Sequence, residues 1–449
     1  MQDLLILGAG ASGLSLGLLT GAPIVEAGSR PGGHAVSTVA DGYTFDRGPH
    51  IMFSRSALLL DCMVSSLGGN VHRCVRNNKV SVGGALLKYP IENDLVGLSV
   101  DLRASVLVGY VNAQLERARA PREPANLAEW FVDAFGEDLT ELYFRPYNEK
   151  VWKIALEDLS MSWADRIPCP PVDDVIRSAV GEETEGYLHQ LHYHYPRRGG
   201  YSALMDAWVS GIDPGALLLD RPVTRIRPGG GGTTVETAGG SFVASTVVST
   251  IPIATMVAIT DGVPPEVASA AGRLRTNATI TVTFGFRGED PNQWTAVYVP
   301  DPEFLPNRVS YPAVFSPENA PPGCFSVQAE ITVPALDPVR DGSDGAVADH
   351  VLRGLRERGL VPADAELEHT YVERHDPAYV VYTTGYEKDL ELVKGWFGDR
   401  GVVLHGRFGS HSYLNVDGCL EQSIDLARSL GGSWADDAVR ALFAGLGDG

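Results

Sequence analysis

The opening stretch of this chain constrains its fold more than any other part. Asp3 to Leu7 is a short apolar run that predicts a buried strand. Gly8-Ala9-Gly10-Ala11-Ser12-Gly13 follows at once. A helix-compatible run from Leu14 to Leu19 comes next, then a second short strand, Pro23-Ile24-Val25, ending in Glu26. Strand, glycine turn, helix, strand and acid in that order make the βαβ fingerprint of a dinucleotide site. Gly8 permits the tight turn, Gly10 has no side chain to block a pyrophosphate, and Gly13 lets the helix pack close to the strand. The helix N-terminus then faces the phosphates with its N–H groups and the positive end of its dipole. Glu26, 18 residues after Gly8, is placed to accept from ribose hydroxyls.

At 449 residues the chain has room for two or three domains, and 44% hydrophobic with 20% charged residues is an ordinary globular balance. Its 36 basic and 56 acidic residues leave a net charge of −20, which argues against nucleic acid or an anionic membrane surface as partner. An anionic substrate would need particular arginines to hold it against that field. Five scattered cysteines with no CxxC pair predict a reducing compartment. The N-terminus is a poor signal peptide, and no apolar run reaches the roughly 18 residues of a membrane span, so the expected place is the cytoplasm.

Beyond Glu26, Arg30-Pro31-Gly32-Gly33-His34 brings a second glycine pair, a feature that suits a long extended cofactor such as FAD better than NAD alone. Tyr43 to Asp46 predicts a strand, and Arg47-Gly48-Pro49-His50 a loop whose histidine is either structural or functional. Lys79 to Tyr89 predicts a hairpin around Gly83-Gly84. From about 95 to 159 the pattern is helical, with Asn126 and Glu129 forming a helix start. Trp130, Phe131, Phe135, Leu139, Leu142 and Tyr143 are spaced for one helix face, and Arg145 to Trp152 is expected to break the helix. His189, His192 and His194 invite a metal site, but 191–195 alternates like a strand, so a side chain facing a cavity is the preferred reading and no metal is expected. A glycine hairpin joins the strands before Gly229 and after Gly232. Thr279 to Phe286 is a β-branched strand in a separate sheet, and Arg308 lies just before another. Val347 to Arg358 is an amphipathic helix. At the C-terminus, the strand 401–405, a glycine turn and a helix from about Cys419 make a second anion-facing cap.

With both ends read, the chain resembles the UDP-galactopyranose mutase-like branch of the amine-oxidase and protoporphyrinogen-oxidase flavoprotein superfamily. The carriers are GAGASG at Gly8–Gly13, RPGGH at Arg30–His34, DRGPHIMFS at Asp46–Ser54, RPYNEKVW at Arg145–Trp152, YHYPRRGG at Tyr193–Gly200, LPNR at Leu305–Arg308 and GRFGSHSYLNVDG at Gly406–Gly418. The resemblance implies an α/β fold: a Rossmann-like FAD-binding domain from 1–88, 195–270 and 390–449, a mostly helical insertion at 89–194, and an antiparallel β-sheet substrate domain at 271–389. It implies non-covalent FAD and a mutase that interconverts pyranose and furanose forms of a nucleotide-sugar, without net redox, through a reduced-flavin N5 sugar adduct. The competing expectation is an FAD-dependent oxidase or dehydrogenase of the amine-oxidase type.

Residue by residue, the resemblance implies cofactor contacts from Gly8, Gly10, Ser12, Gly13, Glu26, Ala27, Arg30, Gly33, His34, Gly48, Val223, Arg407, Asn415 and Asp417. His50, Arg308 and Arg407 would be catalytic, and His194, Arg308, Tyr379 and Tyr413 would bind substrate. Two departures stand out. Pro49 precedes His50 where the family has glycine or alanine, and His194 stands where eukaryotic-type mutases carry a diphosphate-binding arginine. An external reductant such as NAD(P)H and a homo-oligomer are compatible with this reading.

Overall fold

The computed structural model describes residues 2–185, 191–334 and 337–447; His189 lies outside them. Strand β1 (Gln2–Leu7) runs parallel to the strand Gly240–Ser249 on one side and to β2 (Ile24–Val25) on the other. Leu5, Ile6 and Leu7 are fully buried, as a parallel strand covered on both faces requires. β2 pairs in turn with Leu217–Leu218. On the far side, Gly240–Ser249 pairs antiparallel with Thr233–Thr237 through its first half and parallel with the C-terminal strand Val402–Leu404 through its second. Helix α1 (Ala11–Thr20) packs between this sheet and the helix Val416–Ser429 near the C-terminus, so the two chain ends build one unit.

The second sheet has seven strands, antiparallel except where Ala296–Tyr298 runs beside Asn78–Val82. Its strand Thr276–Arg287, between Glu366–Val380 and Cys324–Val333, alternates threonine with apolar residues, and both faces are buried. Ile280, Val282 and Phe284 pack with Val347, Val351 and Leu355 of the helix Asp344–Glu357. Thr279, Thr281 and Thr283 face the other way, where a buried polar wall replaces a second hydrophobic layer.

The hairpin Asn78–Val82/Ala85–Lys88 belongs to this second sheet by its hydrogen bonds, whereas the sequence reading gave residues up to 88 to the first unit. Val80, Val82 and Leu87 bury against Ile91 and Leu95 of the helical block, which draws the hairpin over. His192–Pro196 pairs with Val71–Val75, so the inserted block gives way to a strand before residue 195. Tyr193 and Tyr195 are fully buried and His192 and His194 point the other way, as the alternation predicts.

The inserted block is helical, led by Val100–Arg119 and Leu127–Phe135. The Asn126 side chain accepts from the Glu129 N–H at 3.0 Å, and the Glu129 carboxylate accepts from the Ala125 N–H at 3.1 Å. The run Trp130–Tyr143 is not one helix: Gly136, at φ +83°, ends the first segment and a π-helical turn at Thr140–Phe144 follows. Arg145–Trp152 is itself a helix, because Pro146 falls in its first turn, where no backbone donor is needed. The helix expected from about Cys419 begins at Val416, three residues earlier, with Asn415 at its N-cap. Among the described residues, no helix is long and apolar enough to cross a membrane.

Candidate functional site

A cavity of about 880 Å³ runs from the glycine loop after β1 to the polar face of the second sheet. At its first end the glycines do three separate jobs. Gly8, at φ +95°, has no room for a Cβ, which would lie 2.2 Å from Thr250 Oγ1. A Cβ on Gly13 would lie 1.9 Å from the Gly8 carbonyl oxygen, so α1 packs directly on the turn. A Cβ on Gly10 would meet nothing nearer than Gly33 Cα at 3.9 Å, which leaves a slot open to the cavity. Gly33 closes the slot from the other side, and the Gly32 N–H donates to the Ala9 carbonyl at 2.7 Å. The Glu26 carboxylate accepts from the N–H groups of Ala9 and Gly28 at 2.7 and 2.8 Å, which fixes it at the end of β2 beside Ala27 and Val223 on the cavity wall.

Ser12, His34, Gly48 and Asn415 line the middle. There the two chain ends touch: a Cβ on Gly406 would lie 2.4 Å from Ser12 Oγ. His50 Nδ1 lies 2.8 Å from the Gly48 carbonyl oxygen, which only accepts, so Nδ1 carries the proton. Burial, with the charges of Arg407 and Arg308, pushes the His50 pKa down to about 4. Burial, His375 and Arg407 push His34 down to about 3. Both rings are therefore neutral at physiological pH.

At the far end, cross-strand register sets the chemistry. Tyr298, Arg308, Glu330 and Thr281 stand opposite one another on four adjacent strands and share a face. Arg308 Nη2 donates to Glu330 Oε2 at 2.8 Å, and the Tyr379 hydroxyl donates to Oε1 at 2.7 Å. Burial opposes ionisation of Glu330, but the Arg308 charge and these hydrogen bonds hold its carboxyl below the usual range. Arg407 lies 4.1 Å from the Tyr413 ring centre, anchored by donation to the carbonyls of Leu414 and Ala378 at 2.7 and 3.2 Å. The Tyr379 and Tyr413 rings stack at 5.9 Å and 8°. Arg166 also lies over the Tyr413 ring, 4.9 Å from its centre, and donates to the Tyr413 carbonyl.

Of the residues expected to touch a cofactor, Gly13, Arg30 and Asp417 are off the cavity wall. Gly13 packs the helix, Arg30 donates to the Ser37 carbonyl and Ser202 Oγ at 3.1 and 2.8 Å, and Asp417 sits in the first turn of the helix Val416–Ser429. Of the substrate candidates, Arg308, Tyr379 and Tyr413 converge. His194 does not: its backbone pairs with Met52, and its side chain is not on the wall. Arg166 and Glu330 were missed. An acid inside the β-branched run 327–333 was a usable signal for Glu330; nothing local marks Arg166.

The model of the family described as flavin containing amine oxidoreductase matches residues 23–430. The chain belongs to that family. As a member of this family it is a flavin enzyme, and the Gly10–Gly33 slot with the fixed Glu26 carboxylate fits a phosphate and a ribose of such a cofactor. A reduced UDP-galactopyranose mutase superposes with a TM-score of 0.88 at 21% identity, covering 99% of both chains. A proposed protoporphyrinogen oxidase from Exiguobacterium sp. 255-15 gives 0.75 at 19%, covering 96% of this chain and 98% of that one. Cyclohexylamine oxidase from Brevibacterium oxydans IH-35A gives 0.67 at 16%, covering 96% and 99%. These likenesses concern the fold alone: an α/β architecture like that of the UDP-galactopyranose mutase structure, with a helical insertion and a second, mostly antiparallel sheet.

Proposed function

We propose that the protein is an FAD-dependent mutase that interconverts the pyranose and furanose forms of a nucleotide-sugar. The observation that carries this reading is the cluster of Arg308, Arg407 and Arg166 with the stacked Tyr379 and Tyr413, in a chain whose net charge is −20. Planar guanidinium forks and phenol hydroxyls suit a diphosphate, and oxidation of an amine needs neither. When bound in its reduced form, the flavin supplies a nucleophile to the anomeric carbon. Arg407 and Arg166 hold the departing diphosphate within reach for its return. Glu330 neutralises Arg308 and fixes its direction. His50, neutral with Nδ1 protonated, offers Nε2 as a proton acceptor. Trp152 and Trp163, stacked at 4.1 Å on the same wall, limit water around the separated partners.

Glu26 beside Val223 favours FAD over a mononucleotide flavin, because those positions serve an adenylate half. An external reductant such as NAD(P)H would activate the enzyme. The test is incubation of the dithionite-reduced protein with UDP-galactose and its furanose isomer. A product of unchanged mass, formed only by reduced enzyme, supports the mutase. The amine oxidases that share this fold support the second reading, an oxidase; bleaching of oxidised flavin by an amine, with no isomerisation, would establish it.

A further inference from the structure

One part of the cavity wall, a lobe beside Tyr298, is used by none of the chemistry above. Arg76, Asn78 and Thr295 supply its polar groups, and Phe53 and Phe315 its apolar walls. Asn78 is 7% exposed. Its Nδ2 donates to the Tyr298 hydroxyl at 3.3 Å, while its Oδ1 is buried and finds no partner among the described residues. A buried acceptor on a cavity wall calls for a donor from a ligand. The Arg76 guanidinium lies 5.4 Å from the Phe53 ring centre on the same wall. Tyr298 joins the lobe to the diphosphate cluster, since it touches Asn78 at one end and stands opposite Arg308 in the sheet. A sugar whose diphosphate lies at Arg308 would therefore reach into this lobe.

We propose that the lobe selects a nucleotide-linked hexuronic acid over the neutral sugar. Arg76 takes the carboxylate at the far end of the ring as a planar, charge-assisted pair. A neighbouring ring hydroxyl donates to Asn78 Oδ1. Phe53 and Phe315 exclude water from both contacts, which strengthens them. This rests on the nucleotide-sugar reading, and the experiment separates the two.

Flavin-loaded protein is titrated by calorimetry with UDP, UDP-galactose and UDP-galacturonate. The wild type is expected to bind the uronate about tenfold or more tighter than the neutral sugar, the usual scale for a charge-assisted hydrogen bond in a closed site. Arg76→Gln is expected to erase that preference and leave affinity for UDP unchanged. UDP binding with the two sugars held equally by wild type overturns the proposal alone. Failure of flavin-loaded protein to bind UDP overturns the nucleotide-sugar reading and this proposal with it. If Arg76→Gln fails to fold, judged by its flavin content, the wild-type comparison still decides.

Discussion

Arg308 and Glu330 face each other across adjacent antiparallel strands, Nη2 2.8 Å from Oε2, and the Tyr379 hydroxyl completes the carboxylate's partners at 2.7 Å. The pair keeps a guanidinium aimed into the cavity without a net charge. Glu330→Gln keeps the shape and removes the balancing charge. It is expected to lower stability by about 1–3 kcal/mol with flavin still bound. Thermal unfolding of the flavin-loaded variant checks this, and an unchanged midpoint would show that the pair does not support the fold.

Gly10, at the N-cap of α1, and Gly13, inside it, differ in what surrounds the missing Cβ. Gly10→Ala is expected to fold and to lose flavin, because its methyl enters an open slot 3.9 Å from Gly33 Cα. Gly13→Ala is expected to destabilise the chain by about 1–3 kcal/mol or more, because its methyl would meet the Gly8 carbonyl at 1.9 Å. Flavin absorbance after purification, set against thermal stability, separates the two outcomes.

Arg166, not His194, is expected to hold the substrate's diphosphate. Arg166→Ala should weaken UDP binding about tenfold or more while flavin stays bound. His194→Ala should leave UDP affinity unchanged, since its side chain is off the cavity wall. Calorimetric titration of both variants with UDP checks the contrast.

Stability should peak near pH 6.5. Burial depresses His34 to about 3 and His50, His405 and His411 to about 4. Below an unfolded value near 6.5 the unfolded chain therefore binds protons that the folded chain does not, and stability falls toward pH 4 by up to about 1.4 kcal/mol per pH unit per ring. Burial raises Asp46 to about 6 and Glu92 to about 8. These two retain protons when folded and oppose the acid loss, but they are outnumbered. Above 6.5 Glu92 keeps its proton in the fold while the unfolded chain has lost it, so stability falls as pH rises, until buried Lys150, pushed down to about 7, opposes the fall. Glu92→Gln should flatten that alkaline limb in a series of melting curves; an unchanged limb would assign it to other groups.

The two ends of the chain were legible because their constraints are local. A glycine loop between a strand and a helix permits few structures, and residues 8–13 and 401–418 each carry one. The alternation at 191–195 and the Asn126 cap were legible for the same reason. What escaped depends on distant partners. Nothing within residues 78–88 says that this hairpin will pair with residues 296–298. Pro146 reads as a breaker until its place in the first turn of a helix is known. Arg166 is an arginine like any other until Tyr413, 247 residues away, comes under it. The site was therefore readable where chemistry is written into a motif, and hidden where it is assembled by register between strands.

The central claim is that the bond between the anomeric carbon and the diphosphate oxygen breaks and re-forms in this cavity. Positional isotope exchange measures that event directly. Oxygen-18 is placed at the bridging position of UDP-galactose, and its migration to a non-bridging position is followed by phosphorus NMR. The account predicts migration with reduced wild-type enzyme, none with oxidised enzyme, and none with Arg308→Ala in either state. Label that stays at the bridge under fully reduced wild-type enzyme, with UDP shown to bind, would contradict it.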